Sequence, residues 1–200
     1  MRGNINRVLF LGNSITIHAP APQIGWHGNW GMAASREEYD YVHTLMRRFR
    51  KINPDAAHRA MNIADFERGF WEYDMSQLEC ARAFFAELTI VRIGENVNAS
   101  EASASNFGLY YRRLLDFVVP TGKSALCVGS FWDSPVNGQM KAAAAEFGCG
   151  YLDISCLGCD ESNRAIGLFE HEGVAAHPGD RGMGEIARLI WDALVREDIL

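Results

Sequence analysis

Three polar residues of this sequence have the chemistry that acyl transfer through a serine requires. Ser14 comes just after the apolar run VLFLG, Asn96 comes just after LTIVRIG, and His177 lies in GVAAHPGD before the last helical pattern. A hydroxyl can attack a carbonyl carbon, an imidazole can take its proton, and an amide N–H can stabilise the oxyanion that forms. Each residue alone has a simpler interpretation as a turn or surface residue, so the hypothesis depends on the fold bringing the three together.

Short apolar runs alternate with helical patterns along the chain. Glycine-bounded runs of this kind are typical of buried parallel strands, and they occupy residues 7–12, 58–64, 88–94, 124–131 and 150–154. Helical spacing follows Ser35 and recurs over 74–87, over 104–118, over 137–147 and from Asp180 onwards. The alternation predicts a single α/β domain over residues 1–200, a three-layer α/β/α, flavodoxin-like fold with a doubly wound, mainly parallel five-stranded sheet.

Capping signals and strand direction predict how these elements position the polar residues. Ser35 and Glu38 have the spacing of a capping box, and Asp180 is the predicted N-cap of the last helix. The carboxyl ends of parallel strands meet at one edge of a sheet, where open α/β folds bind ligands. We therefore expect Ser14, Asn96 and His177 to meet at that edge.

The connection between the first strand and the first helix is unusually long and spans residues 13–35. It contains Trp26 and Trp30, two histidines and several glycines and prolines. Loops of this length in compact domains are usually functional or disordered, and the composition favours an ordered loop over the site. The two tryptophans are predicted either to stack against a sugar ring or to pack the loop against the domain; both interpretations stay open here.

Composition and charge narrow the classes of partner. The formal net charge is −6, which argues against a nucleic-acid backbone or an anionic membrane surface as the main partner. The five cysteines are an odd number and are read as reduced thiols. The N-terminal apolar run is too short for a signal peptide and leads into a predicted strand, so we expect a cytoplasmic protein. The oligomeric state is left open.

The sequence carries no convincing cofactor motif, and we expect neither a metal nor an organic cofactor. PTGKS at 120–124 imitates a phosphate-binding loop, but it precedes a predicted strand and lacks the first glycine of that motif. Cys156 and Cys159 form one C-x-x-C pair, whereas structural zinc needs four ligands. Cys149 and His171 lie near that pair in the sequence, which keeps a structural zinc site as a minor alternative.

The order of the polar blocks resembles the SGNH, or GDSL-like, hydrolase superfamily. Gly12-Asn13-Ser14-Ile15-Thr16 matches its first block with Asn in place of Asp, Gly94-Glu95-Asn96 matches its Gly-x-Asn block, and His177-Pro178 matches its last block. The resemblance implies that Ser14 attacks an acyl carbonyl and that His177 takes its proton. It also implies that the backbone N–H of Ser14 and the side chain of Asn96 bind the oxyanion.

Two positions depart from the family pattern. The glycine whose N–H completes the oxyanion hole falls at Glu67, so the backbone N–H of Glu67 becomes the candidate donor. The aspartate three residues before the histidine falls at Val174. A triad acid holds the imidazole tautomer and stabilises its charge. Glu172 is the candidate for that role, and a dyad with a backbone carbonyl on His177 Nδ1 is the alternative.

The resemblance implies a serine esterase that cleaves a small acyl ester, with acetylated carbohydrate as the preferred substrate class. Asn13, Glu95, Trp26 and Trp30 are the candidate substrate-binding residues. Two alternatives remain: a non-catalytic carbohydrate- or acyl-binding module, which the missing aspartate favours, and an O-acyltransferase, which would use the same residues with a sugar acceptor in place of water.

Overall fold

Five parallel strands form the centre of the molecule. The computed structural model describes residues 5–200. The strands follow the order β2-β1-β3-β4-β5 and pair in parallel throughout. Their bounds are Arg7–Gly12 (β1), Ala57–Asn62 (β2), Leu88–Arg92 (β3), Ser124–Val128 (β4) and Gly150–Leu152 (β5). Each strand lies within one of the five predicted runs or within one residue of it, and the three-layer α/β/α prediction is confirmed.

Helices cover both faces of the sheet. Those in the described part of the chain are Tyr41–Ile52 (α1), Ala64–Gly69 (α2), Glu79–Ala83 (α3), Ala99–Ala104 (α4), Phe107–Val118 (α5), Asn137–Phe147 (α6), Glu172–Ala175 (α7) and Asp180–Arg196 (α8). Short 3₁₀ turns lie at Pro22–Ile24, Glu37–Tyr39, Met75–Leu78, Ser155–Cys159 and Glu161–Asn163. None of the helices over residues 5–200 has the length and apolarity needed to span a lipid bilayer.

The alternation of side chains along β1 builds two cores. Val8 and Phe10 face one side of the sheet, where they pack in a cluster with α1 and α8. Leu9 and Leu11 face the other side and pack with α2, α3, α5 and α6. Because successive side chains of a strand point to opposite faces, a strand buried on both faces reads as a continuous apolar run, and every residue from Val8 to Gly12 is buried.

The strand order places a crevice between the ends of β1 and β3. From β1 the chain crosses to β2 on one side, whereas β3, β4 and β5 follow on the other side. The connections leave in opposite directions at this point, so the loops after β1 and β3 diverge and leave a cleft at the carboxyl edge. Ser14 follows β1 and Asn96 follows β3, at the two sides of this cleft.

Two predicted caps are wrong. Helix α1 begins at Tyr41, and its N-cap is Asp40, whose carboxylate accepts from His43 N at 2.7 Å. Ser35 instead donates from both N and Oγ to the carboxylate of Asp180, each at 2.7 Å. Asp180 is the first residue of α8 after the cap position Gly179. The carboxylate of Asp180 therefore ties the end of the long loop to α8.

Two predicted helices are interrupted. The segment 104–118 breaks at Asn106, which has a positive φ of 53° and separates α4 from α5. The segment 74–87 forms the 3₁₀ turn Met75–Leu78 followed by the short helix α3. Asparagine tolerates left-handed backbone better than most residues, so Asn106 permits the change of direction.

Candidate functional site

A tight turn after β1 presents the hydroxyl of Ser14. The carbonyl of Asn13 accepts from the backbone N–H groups of Thr16 and Ile17 at 2.9 and 3.1 Å. A Cβ on Gly12 would lie 1.8 Å from Thr16 Oγ1 and 2.9 Å from the carbonyl oxygen of Arg92. Only glycine fits where the turn folds back this closely, and the chain therefore ends its strand on Gly-Asn-Ser.

The hydroxyl of Ser14 and the imidazole of His177 are in direct contact. Ser14 Oγ lies 2.7 Å from His177 Nε2, and His177 Nδ1 lies 2.6 Å from the carbonyl oxygen of Gly173. A carbonyl can only accept, so Nδ1 carries the proton and Nε2 is the acceptor for the Ser14 hydroxyl. This is the nucleophile–base geometry that serine catalysis requires.

Glu172 does not hold His177, contrary to the sequence-based prediction. Its side chain is exposed, and the ring nitrogen that a triad acid would occupy is bonded to the Gly173 carbonyl. Val174 stands where the family aspartate falls, and it is fully buried in a small apolar cluster with Trp26 and Met32. His177 Nδ1 thus has the backbone-carbonyl partner of the alternative that the sequence left open.

The position of His177 favours its neutral form. Burial lowers the pKa of His177 below its ordinary value of 6.5, and the hydrogen bond to the Gly173 carbonyl only partly opposes this. Charged imidazolium loses hydration when it is buried, which is why burial disfavours it. The ring of Trp132 packs edge-on against the imidazole with centroids 6.4 Å apart. A histidine that is neutral near pH 7 is ready to accept a proton.

Asn96 lies on the same cleft as Ser14 and His177. One N–H of its side-chain amide donates to Glu67 Oε2 at 2.7 Å, which leaves the second N–H for another acceptor. Nothing in residues 5–200 accepts from the backbone N–H of Ser14. These two N–H groups are the candidate oxyanion donors that the geometry leaves free.

The backbone N–H of Glu67 is not available as an oxyanion donor, so that prediction is wrong. It donates to the carbonyl of Ile63 at 3.3 Å within the turn of α2. The side chain of Glu67, in contrast, contacts the site. It is fully buried, and its Oε1 accepts from the backbone N–H of Gly94 at 2.6 Å. The carboxylate thus contacts the loop that bears Asn96.

A buried ion pair lies beneath the nucleophile. The guanidinium of Arg92, which has no exposed surface, donates to both carboxylate oxygens of Glu95 at 2.7 and 3.0 Å and to Asn13 Oδ1 at 2.8 Å. Asn13 Nδ2 in turn donates to Glu95 Oε2 at 2.6 Å. Burial alone would raise the pKa of Glu95, but Arg92 outweighs it and holds the pKa low.

The structure contradicts the prediction that Asn13 and Glu95 bind substrate. Asn13 is fully buried. The carboxylate of Glu95 accepts hydrogen bonds from Arg92, from Asn13 and from the backbone N–H of Phe131, the last at 2.7 Å. Both side chains make hydrogen bonds within the protein, and neither lines the cleft.

The cleft beside Ser14 has a volume of about 540 Å³. The long loop contributes His18, Ile24 and Met32 to its wall, so this part of the loop borders the cleft. The other lining residues are Ser14, Asn62, Ala64, Asp65, Arg68, Asn96, His171, Gly173, Val174 and His177. This wall is mainly polar, with apolar contacts from the loop.

Trp26 and Trp30 do not line the cleft, and the packing interpretation is the correct one. Trp26 is only 3% exposed, and the two indole rings meet edge-on with centroids 5.6 Å apart. Their Nε1–H groups donate to the backbone carbonyls of His18 and Ala34 at 3.1 and 3.0 Å. These contacts hold the loop in shape, and neither indole faces the cleft.

Sequence reasoning missed the roles of Arg92 and of the Glu67 side chain. One signal was present, because a lone arginine inside the apolar run LTIVRIG with a glutamate three residues later indicates a buried, paired charge. For Glu67, and for His18, Arg68 and His171 in the cleft wall, no local pattern distinguishes them from surface residues.

The described residues contain no group of three His, Cys, Asp or Glu side chains placed to hold a metal ion. Cys156 and Cys159 lie exposed in the 3₁₀ turn Ser155–Cys159. Cys149 is instead adjacent to the thiol of Cys127, with the sulfur atoms 3.6 Å apart. The four residues of the alternative zinc site are therefore not gathered.

No protein-family model matches the sequence, and no curated protein sequence is significantly similar to it. Several solved structures share its fold. A two-domain esterase, CEX, active on acetylated mannans and co-crystallised with mannopentaose, superimposes with a TM-score of 0.63 at 17% identity, covering 97% of this chain and 50% of that one. This chain thus spans about half the length of that esterase.

Two further structures are matched over almost their whole length. A catalytic mutant of Axe2, an acetylxylan esterase from Geobacillus stearothermophilus, gives a TM-score of 0.56 at 16% identity, with 100% of this chain and 97% of that one covered. The esterase EstA from Pseudoalteromonas sp., inhibited by monoethylphosphonate, gives 0.56 at 10% identity, with 96% and 97% covered. The chain shares the three-layer α/β/α fold of these esterases, and the predicted fold class is confirmed.

Proposed function

We propose that this protein is a serine esterase that hydrolyses a small acyl ester through an acyl-serine intermediate. The observation that carries the proposal is the 2.7 Å contact between Ser14 Oγ and His177 Nε2, at the sheet edge where α/β proteins bind ligands. The fold shared with solved esterases supports the same reaction class.

In the proposed acylation step each of these groups has a role. Ser14 Oγ attacks the ester carbonyl carbon while its proton passes to His177 Nε2, and the carbonyl oxygen becomes an oxyanion. The Ser14 N–H and the free N–H of the Asn96 amide donate to that oxyanion. The C–O bond then breaks, and the proton on Nε2 passes to the departing alcohol, which leaves the acyl group on Ser14.

Deacylation uses the same groups with water in place of the alcohol. His177 Nε2 takes a proton from the water, whose oxygen attacks the acyl carbon, and the proton returns to Ser14 Oγ as the carboxylic acid leaves. The Gly173 carbonyl keeps Nδ1 protonated throughout. It stabilises the imidazolium as a dipole and not as a full charge, so we expect a slower enzyme than one with a carboxylate in that position.

Acetylated carbohydrate is the substrate class that we favour. The cleft wall is polar enough to hydrogen-bond sugar hydroxyls, with Asn62, Arg68 and His171 among its lining residues. Two of the solved structures with this fold act on acetylated mannans and on acetylated xylan. A neighbouring groove of about 600 Å³ shares Ile24 and His171 with the cleft and extends it to Leu168. This groove is lined by residues 168–171, which precede His177 in the chain. The alcohol part of the substrate must lie near His177, because His177 protonates it as it leaves.

Hydrolysis of p-nitrophenyl acetate by the wild-type protein and by Ser14→Ala and His177→Ala tests the proposal. We expect both variants to lose about 10³-fold or more in kcat, as removal of a nucleophile or its base does in serine enzymes. Ser103→Ala and His27→Ala are matched controls, because both side chains are exposed and lie outside the cleft. A wild-type rate equal to that of Ser14→Ala would refute the proposal and favour the non-catalytic binding module.

A second assay addresses the substrate and the acceptor. Acetate release from acetylated xylo- and manno-oligosaccharides should also depend on Ser14. Transfer of the acetyl group to an added free sugar, detected as an acetylated product by mass spectrometry, would instead indicate the O-acyltransferase.

A further inference from the structure

We propose that the buried carboxylate of Glu67 is a positioning residue that orients the side-chain amide of Asn96 toward the oxyanion. The inference deepens the proposed esterase activity and rests on it. It concerns a group that does not touch the substrate, because Glu67 has no exposed surface and acts on the cleft only through Asn96.

The carboxylate of Glu67 holds three segments of the site together. Its Oε2 accepts from Asn96 Nδ2 at 2.7 Å. Its Oε1 accepts from the backbone N–H groups of Gly94 and Asn96 at 2.6 and 3.3 Å and from Asn13 Nδ2 at 3.2 Å. Asn13 precedes the nucleophile and Asn96 follows β3, so one side chain of α2 fixes the relative positions of both loops.

All four contacts of Glu67 are donors, and this fixes the chemistry that the position requires. A carboxylate accepts on both oxygens. An amide of the same shape has one acceptor and one donor end, so a glutamine here would place an NH₂ group against either the Asn96 amide or the Gly94 N–H. In the first orientation the Asn96 amide would rotate to escape a donor–donor contact, and in the second the loop at Gly94 that carries Asn96 would shift.

The cost of burying this charge argues that it is kept for orientation. Burial, and next the negative charge of Glu95, raise the pKa of Glu67. The guanidinium of Arg92 cannot offset this fully, because it is bound to both oxygens of Glu95. Buried charges of this kind are weak sources of stability and are best explained by the geometry that they impose.

The geometry that Glu67 imposes is that of the free Asn96 N–H. With one N–H of the amide bonded to Glu67 Oε2, rotation of the amide is restricted and its second N–H points away from the carboxylate. Preorganised donors are effective because they need no reorganisation as the oxyanion forms. Loss of Glu67 should therefore lower kcat and leave substrate binding in the ground state little changed.

A double-mutant cycle tests this, with Glu67→Gln, Asn96→Ala and the double variant assayed on p-nitrophenyl acetate. Removal of one oxyanion donor costs about 10²–10³-fold in kcat, so we expect losses of that size in both single variants, with KM changed less than about threefold. Because Glu67 acts through Asn96, the double variant should be no slower than Asn96→Ala alone. Glu146→Gln, on the exposed face of α6, is the matched control and should keep the wild-type rate. Losses that multiply in the double variant would overturn the proposal.

The side-chain amide signal of Asn96 gives a readout that does not depend on activity. Its ¹H–¹⁵N resonance, assigned by its disappearance in Asn96→Ala, should move in Glu67→Gln because a charge-assisted hydrogen bond is lost. An unmoved signal would overturn the positioning role. The two proposals can fail separately. Without Ser14-dependent hydrolysis by the wild-type protein the esterase proposal would fail, whereas a moved signal would still show the hydrogen bond between Asn96 and Glu67.

A compensating variant separates positioning from folding if Glu67→Gln proves unstable. In Glu67→Gln/Asn96→Asp the new amide donates to the new carboxylate, which reverses the direction of the hydrogen bond. We expect this variant to fold with a melting temperature near that of wild type, yet to keep the low kcat of Asn96→Ala because the oxyanion donor is gone. A wild-type kcat in this variant would overturn the proposal.

Discussion

The imidazole of His177 is oriented by a backbone carbonyl, and this sets the chemistry available at the site. The Gly173 carbonyl accepts from Nδ1 at 2.6 Å, which fixes the tautomer that leaves Nε2 free to accept from Ser14. What the carbonyl lacks is a full negative charge to stabilise the imidazolium. In the proposed mechanism the site is therefore a dyad whose base is oriented by this carbonyl.

The pH dependence of kcat/KM should report the neutral form of His177. Burial lowers its pKa below 6.5, so the active neutral form already predominates at a pH below the ordinary midpoint. We expect kcat/KM on p-nitrophenyl acetate to rise with pH through a midpoint below 6.5. Glu172→Gln should show the same profile, because the Glu172 side chain is exposed. A tenfold loss or a shifted midpoint in Glu172→Gln would show that this carboxylate is the partner after all.

The asparagine at position 13 follows from its surroundings. Where the sequence pattern that this chain resembles has aspartate, Asn13 donates to Glu95 and to Glu67 through Nδ2 and accepts from Arg92 through Oδ1. An aspartate at this position would bring a third carboxylate to a buried group that holds one guanidinium. The amide provides both a donor and an acceptor, which the position needs.

At the scale of elements, the turn after β1 and the helix α7 decide where the reacting groups lie. The four residues of α7 turn Val174 into the apolar cluster and leave the Gly173 carbonyl toward the ring. The last carbonyls of a helix have no partner within it, and here the imidazole takes one of them. This conformation of α7 buries position 174 among apolar side chains, where valine fits and a carboxylate does not. It also supplies the Gly173 carbonyl, which orients the imidazole in place of a carboxylate.

The turn after β1 should tolerate no side chain at Gly12. A Cβ there would lie 1.8 Å from Thr16 Oγ1 and 2.9 Å from a backbone oxygen, so Gly12→Ala must displace the loop that carries Ser14. We expect kcat to fall about 10²-fold, as small misplacements of a reacting group do. Gly138→Ala on α6 is the control, because nothing lies within 4 Å of its Cβ position, and it should keep the wild-type rate. Equal rates in the two variants would contradict this account of the turn.

At the scale of the whole molecule, the fold was predictable because it depends on patterns that the chain repeats. The run RVLFLG is buried on both faces as β1, and the helical spacing after Asp180 is α8. Strand direction alone placed Ser14 and Asn96 at one edge. The position of His177 in the loop before the last helix placed it at the same edge, and its contact with Ser14 joins residues 163 positions apart.

Features that depend on tertiary partners were not predictable from local sequence. Glu67 reads as an ordinary helical glutamate, and only the convergence of Asn13, Gly94 and Asn96 around it shows why it is buried. Trp26 and Trp30 are equally suited to packing and to stacking on a sugar until their partners are known. Ser35 has the spacing of a cap, but the carboxylate of Asp180 competes successfully for it.

Covalent labelling with a p-nitrophenyl phosphonate ester tests the central claim most directly. The phosphonyl group stays bound to the nucleophile, whereas an acyl group would be removed by water. Intact mass and peptide mapping should show one phosphonyl group, on Ser14, with labelling at least about 10²-fold slower in His177→Ala because the base is missing. Labelling at another residue, no labelling of the wild-type protein, or an equal rate in His177→Ala would contradict the assignment of Ser14 and His177 as nucleophile and base.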